Sequence, residues 1–235
     1  MTMSDNSIDT GPLVLVVDYG GVLTNPIADT IAAFTEYMSV QPEDLMGALF
    51  TAHDDPDETI MAPLERGEIT EAAFLDRVGS ALETMTGRAI DLSQFRPAWF
   101  SGRVPNSELL DYLHTLKSEG RTLGLLTNNV REWEPEWRGI VPTGLFSVEV
   151  VSANEGVRKP EPEIYRRTTE RLGVPAARCL FVDDDLRNCQ AARAHGMQIH
   201  HFTDTAGAIE AIDAWFGRQQ PAAQPTADAL LEESA

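Results

Sequence analysis

This sequence predicts an α/β fold with a parallel sheet and an inserted all-helical domain, and three observations carry the prediction. From residue 105 onward, short apolar runs of strand length alternate with amphipathic helical stretches, the pattern that right-handed βαβ crossovers and a parallel sheet produce. A further apolar run, LVLVV at residues 13–17, stands near the start of the chain. Between that run and residue 100, apolar residues recur only at helical spacing, with no strand alternation of any length.

Residues 1–11 are polar and are expected to be disordered. The first strand spans residues 13–18. The stretches IADTIAAFTEYM, PEDLMGALF and ITEAAFLDRVGSALETM then read as helices within an insert at 26–100. Such an insert, placed between the first and second strands, fits a small cap domain over the loops at the sheet's edge. Thr70, at the end of LERGEIT, is positioned to cap the next helix, with Glu71 in its first turn.

The sheet domain comprises residues 12–25 and 101–217. SELLDYLHTLKSEG is a helix stopped by Gly120, and RTLGLLT is the second strand. LFSVEVVS at 145–152 is the third, followed by a loop carrying Lys159 and a helix ending near Gly173. RCLFVDD is the fourth, then a helix at 187–195 stopped by Gly196. QIHHF is the fifth strand and TAGAIEAIDAWF the closing helix. The tail at 218–235, rich in Pro, Ala and Glu, is expected to be disordered.

With 235 residues and 43% hydrophobic content, the chain can bury one sizeable core or two modest ones. Eighteen basic residues against 37 acidic ones give a formal net charge of -19, which repels nucleic acid and anionic membrane surfaces. An anionic ligand therefore needs local positive charge. Cys179 and Cys189 are expected to be reduced core thiols. The opening residues lack a signal-like core and no stretch approaches the roughly 20 apolar residues of a membrane span. A cytoplasmic protein, monomeric or homodimeric, is expected.

Four segments fall at strand ends or in the loops beyond them. VLVVDYGG delivers Asp18 to a strand end that Gly20 and Gly21 break at once, so that backbone can approach a ligand. LGLLTNN ends in Thr127, Asn128 and Asn129, RKPEPEIY sets Lys159 before a helix, and LFVDDDLRN ends a strand in three carboxylates. Taken singly, each has a plain reading: a turn hydroxyl, a solvated lysine, a helix N-terminal acidic cluster. As an ordered set they resemble the four motifs of the haloacid dehalogenase superfamily, over about residues 13–216.

That resemblance implies a Rossmann-like core and a Mg²⁺-dependent phosphomonoesterase that acts on a small phosphorylated metabolite, with a sugar phosphate as the first expectation. Asp18 is then the nucleophile that forms an aspartyl-phosphate. Asp18, the Gly20 carbonyl and Asp184 hold Mg²⁺, with Asp183 reaching it through water. Lys159 neutralises the nucleophile and a phosphate oxygen, and Thr127 and the Asn128 backbone hold further oxygens. Gly20 and Gly21 belong to the phosphate loop, Arg158 lies near the phosphate, and Asn188 braces the acidic loop. Converging carboxylates would in any case repel one another unless a cation were present.

Gly20 departs from the pattern of most phosphatases of that family, which carry an Asp there as general acid and base, although the chain also resembles a subgroup with Gly at this position and a similar cap, which includes sugar-1-phosphate hydrolases. Such acid–base help is worth about 10²–10⁴-fold. The departure leaves three routes: a substrate with a good leaving group, such as an anomeric or acyl phosphate; a proton from another residue; or a site that binds phosphate without turnover. On the first route's logic, Gly20→Asp raises turnover on poor leaving groups. Two other assignments remain, a non-catalytic or regulatory phosphate-binding protein and a 2-haloacid dehalogenase; the pair Asp183 and Asp184 argues against the latter. Trp133 and Trp137 are read as lining a substrate pocket, Trp99 and Phe100 as core or hinge packing, His53 as a surface residue, and His200 and His201 as structural.

Overall fold

The computed structural model describes residues 11–53, 55 and 57–217. The stretches 1–10 and 218–235, read above as disordered, lie outside the described residues. The central strand, β1 (Val14–Val17), is fully buried along its length, as a strand covered on both faces of a parallel sheet must be. Leu15 and Val17 pack with Leu109, Leu113, Leu125 and Ile212. Val14 and Val16 pack with Ile164, Tyr165, Phe181 and Ala192. Alternate residues thus serve opposite helical layers, which fixes the strand's register.

After β1 come α1 (Ile27–Met38), α2 (Pro42–Thr51), α3 (Met61–Glu65), α4 (Glu71–Thr86) and α5 (Phe95–Ser101). The chain then returns through α6 (Ser107–Ser118), β2 (Thr122–Thr127), a 3-10 turn at Arg131–Trp133, α7 (Glu134–Arg138) and β3 (Val148–Val151). It closes with α8 (Ser152–Glu155), α9 (Pro162–Leu172), β4 (Cys179–Asp183), α10 (Leu186–Ala194), β5 (Gln198–His201) and α11 (Thr205–Phe216). The five strands form one parallel sheet of order β3-β2-β1-β4-β5. The chain builds outward from β1 to one side and then to the other, so the switch point lies between β1 and β4. Ligands bind in the crevice outside the carboxyl ends of such a pair.

The third strand is shorter than the apolar run LFSVEVVS suggests. Leu145 and Phe146 leave the ladder and pack into the core, and pairing with β2 begins at Val148. Thr70 does cap α4, accepting a hydrogen bond from the Ala73 N–H at 3.2 Å.

Helices α1 to α5 bury a cluster of their own, centred on Phe34, Phe74, Phe95 and Trp99, with Phe95 and Trp99 stacked 5.8 Å apart. Trp133 joins it from the sheet side. The two linkers of this insert are laced together by Asn25, which donates to the Gly102 carbonyl and accepts from the Val104 N–H, each at 2.9 Å. Cys179 and Cys189 are buried free thiols. No helix of the described residues is long and apolar enough to cross a membrane.

Candidate active site

Asp18 leaves β1 with its N–H bonded to the Val182 carbonyl of β4 at 2.9 Å, so the carboxylate is anchored at the switch point. The loop then closes on itself, with Leu23 and Thr24 both donating backbone N–H groups to the Tyr19 carbonyl. Gly21 sits at φ +76°, where other residues are strained, and a side chain there would collide with the Asp184 carboxylate. Glycine is what lets the two loops approach.

Lys159 reaches this point from the loop before α9. Its backbone N–H donates to Asn128 Oδ1 at 2.8 Å, and Asn128 Nδ2 donates back to the Lys159 carbonyl at 2.9 Å. Its ammonium is 1% exposed, 2.7 Å from Asp18 Oδ1 and 2.6 Å from Asp183 Oδ2. Asp183 is fully buried and also accepts from the Asp185 N–H at 2.8 Å and from Asn188 Nδ2 at 3.1 Å. A buried carboxylate survives only with such partners. Ligand oxygens of Asp18, Asp183 and Asp184 all lie within 4.8 Å of one another.

One lysine does not balance three carboxylates. Burial raises Asp18 to about 7; Lys159 opposes this, while Asp183 and Asp184 add to it. Asp184 is also raised, by burial first and then by Asp183. For Lys159, burial pulls downward, but Asp18 and Asp183 outweigh it and keep the group a cation. The donor set, hard oxygens with an unmet need for positive charge, suits a divalent cation such as Mg²⁺.

A cavity of about 600 Å³ opens over these groups, between the strand ends and the helical insert. Asp18, Gly20, Asn128, Arg158, Lys159, Asp184 and Asn188 line it, whereas Thr127 is buried at the end of β2 and is not among the lining residues. Arg158 faces the cavity paired to Glu65 of α3 at 2.8 Å. The two tryptophans divide: Trp133 lines the cavity and donates to Glu71 at 2.7 Å, while Trp137 packs in the core.

Several lining residues escape a reading of the sequence. Trp99 and Phe100, expected only to pack, form part of the wall, together with Ile27, Met61 and Glu65 from the insert. His201 lines the cavity, and its Nε2 donates to the Asp184 carbonyl at 3.0 Å, because a carbonyl can only accept. Arg103, in the second linker, also faces the cavity. Nothing in the periodicity of these segments marks them, since their placement depends on how the insert docks.

A family model for haloacid dehalogenase-like hydrolases matches residues 13–196. The chain belongs to that family. This haloacid dehalogenase-like hydrolase is 33% identical over 199 residues to a sesquiterpene phosphatase of Aspergillus oryzae, an alignment covering 81% of this chain and 89% of the fungal protein. It is 25% identical to rat bifunctional epoxide hydrolase 2 over 225 residues, which is 89% of this chain but 40% of the rat protein. Among solved structures it is similar to a haloacid dehalogenase-family enzyme of Bacteroides thetaiotaomicron in complex with magnesium and inorganic phosphate, at 26% identity and a TM-score of 0.62. That match covers 84% of this chain and 96% of the other.

Steric need does not explain the glycine at position 20. Its φ lies outside the left-handed region, and an added Cβ would stand in ordinary contact, 3.9 Å from both terminal nitrogens of Arg103.

Proposed function

We propose that this hydrolase is a Mg²⁺-dependent phosphomonoesterase that works through an aspartyl-phosphate on Asp18. The observation that carries the reading is Lys159, held between Asp18 and Asp183 with the Asp184 carboxylate beside them. Asp18, the Gly20 carbonyl and Asp184 would hold the metal, with Asp183 behind them. When bound, Mg²⁺ supplies charge compensation to the carboxylates and to the transferring phosphoryl group. An Asp18 oxygen forms a bond to phosphorus as the bond to the leaving oxygen breaks. Lys159 favours the ionised form of Asp18 and offsets charge on a phosphoryl oxygen. Water then attacks phosphorus, releasing inorganic phosphate and regenerating the Asp18 carboxylate.

For the substrate, the cavity wall supports an apolar body better than the sugar phosphate expected from sequence. Ile27, Met61, Trp99, Phe100, Val130 and Trp133 face it, and Leu186 stands at its edge. Ile27 and Leu186 are also among the exposed large hydrophobic residues, so the apolar lining continues to solvent. The likeness to a sesquiterpene phosphatase points the same way. On this reading the insert acts as a cap that sets substrate choice.

Phosphate release from prenyl phosphates, sugar phosphates, acetyl phosphate and p-nitrophenyl phosphate, with Mg²⁺ or EDTA, tests both parts. Release that needs Mg²⁺ and is lost in Asp18→Asn is the expected result, with kcat/KM at least about tenfold higher for prenyl than for sugar substrates. A sugar preference would restore the earlier substrate reading. No release from any substrate, with phosphate still bound, would make the protein a phosphate binder.

A further inference from the structure

Residue 20, where most phosphatases of the family are expected to carry an acid, is glycine, and a cation stands against it. Arg103 Nη1 donates to Thr24 Oγ1 at 3.0 Å and to the Asn25 carbonyl at 3.4 Å, both neutral acceptors. Its guanidinium carbon sits 5.9 Å from the centre of the Tyr19 ring. Nε is buried with no partner, and Nη2 has no hydrogen bond to any described residue. The other cavity arginines are neutralised: Arg158 pairs with Glu65 at 2.8 Å and Arg187 with Asp185 at 2.7 Å. Arg103 has no carboxylate within ion-pair distance among the described residues, although the chain carries 37 acidic residues against 18 basic ones. A half-buried guanidinium without a carboxylate partner, its Nε shut away from solvent, is costly. Arg103 lines the cavity beside the nucleophile loop, with both terminal nitrogens close to Gly20, and an anion there would complete its pairing.

We propose that Arg103 is the residue on the leaving-group side of this reaction, binding the oxygen that departs from phosphorus and stabilising it as an anion. The proposal rests on the aspartyl-phosphate reading above. As Asp18 bonds to phosphorus, the electron pair of the breaking bond goes to the leaving oxygen. Arg103 does not give up a proton near neutral pH, so that oxygen departs charged, held by two guanidinium donors. Preorganised charge of this kind replaces part of what a general acid supplies. It also selects chemistry: acyl phosphates, phosphoanhydrides and phosphates of acidic alcohols leave readily as anions, whereas simple alkyl phosphates depend most on Arg103.

The test is a series of aryl and alkyl phosphates graded by leaving-group acidity, assayed with Mg²⁺ for wild type, Arg103→Met and Arg103→Lys. For Arg103→Met, kcat/KM should fall about 10²–10³-fold on the poorest leaving groups and less than about tenfold on the best. The plot of rate against leaving-group acidity therefore steepens. Arg103→Lys should restore part of the loss, and added guanidinium should raise Arg103→Ala most on the poor substrates. A loss equal across the series, or none, overturns the proposal while leaving the aspartyl-phosphate reading intact. That reading fails separately if wild type releases no phosphate or if Asp18→Asn remains active, and the role of Arg103 fails with it. Thermal unfolding of each variant separates a folding defect, which would act uniformly on all substrates.

Discussion

The two walls of the cavity are built on different physical terms. At the strand ends, Asp18, Lys159 and Asp183 are buried, bonded to one another and anchored by backbone contacts to β4 and to Asn128. Across the cavity, the insert offers mostly apolar and aromatic side chains and is tied to the sheet side by a few polar links, such as Glu65 to Arg158 and Arg66 to Glu161 at 2.7 Å. Buried, hydrogen-bonded geometry suits bond making, while a separately packed layer can change its lining without disturbing the chemistry. The comparison teaches where a substitution should be felt as lost chemistry and where as altered selectivity.

The largest effect should come from Asp18→Asn, which removes the attacking oxygen's charge; phosphate release should fall by at least about 10³-fold, measured under saturating Mg²⁺. Next is Lys159→Met. It leaves Asp18 and Asp183 buried without their cation, so thermal or denaturant unfolding should show a loss of about 3–5 kcal/mol as well as lost activity. If that variant kept wild-type stability, the strand-end wall would not be the tightly coupled unit described.

A pH series on metal-free protein sharpens the same side. Asp18 titrates at about 7 in the folded state, against about 3.9 for a free aspartate. Between those values the folded state holds the extra proton. This group's contribution is therefore complete below about pH 4 and is lost as pH rises through about 7. Stability in EDTA should fall over that window by an amount of order a few kcal/mol, and Mg²⁺ should flatten the curve. A rise in metal-free stability with pH over the same window would contradict it.

On the insert side, Met61→Gln should lower kcat/KM for prenyl phosphates by roughly tenfold, chiefly through KM, with a smaller loss for acetyl phosphate. Equal losses on both would remove the distinction between the walls. The smallest effect should be Thr70→Ala, which deletes the α4 cap and should cost about 1 kcal/mol of stability by denaturant unfolding.

The sequence by itself determined the parallel sheet, the run of helices after β1 and the strand-end places of Asp18, Thr127 and Asp183. Buried strands announce themselves as continuous apolar runs, and polar residues that follow them at once can only lie at the sheet's edge. Asp18, Asp183 and Asp184 were legible as strand-end carboxylates for that reason, whereas Lys159, in the loop before α9, was legible only as a member of the ordered set. Thr127 was legible as a strand end, but its place outside the cavity lining was not. Only tertiary structure decided the rest. Trp99, Phe100 and Glu65 reach the cavity through the docking of the insert and His201 through the place of β5 in the sheet, and each looks locally like packing or surface. The same holds for Arg103 against Gly20, 83 positions apart in the chain. A local pattern encodes which face of an element is apolar; which two faces finally meet depends on the whole packed chain.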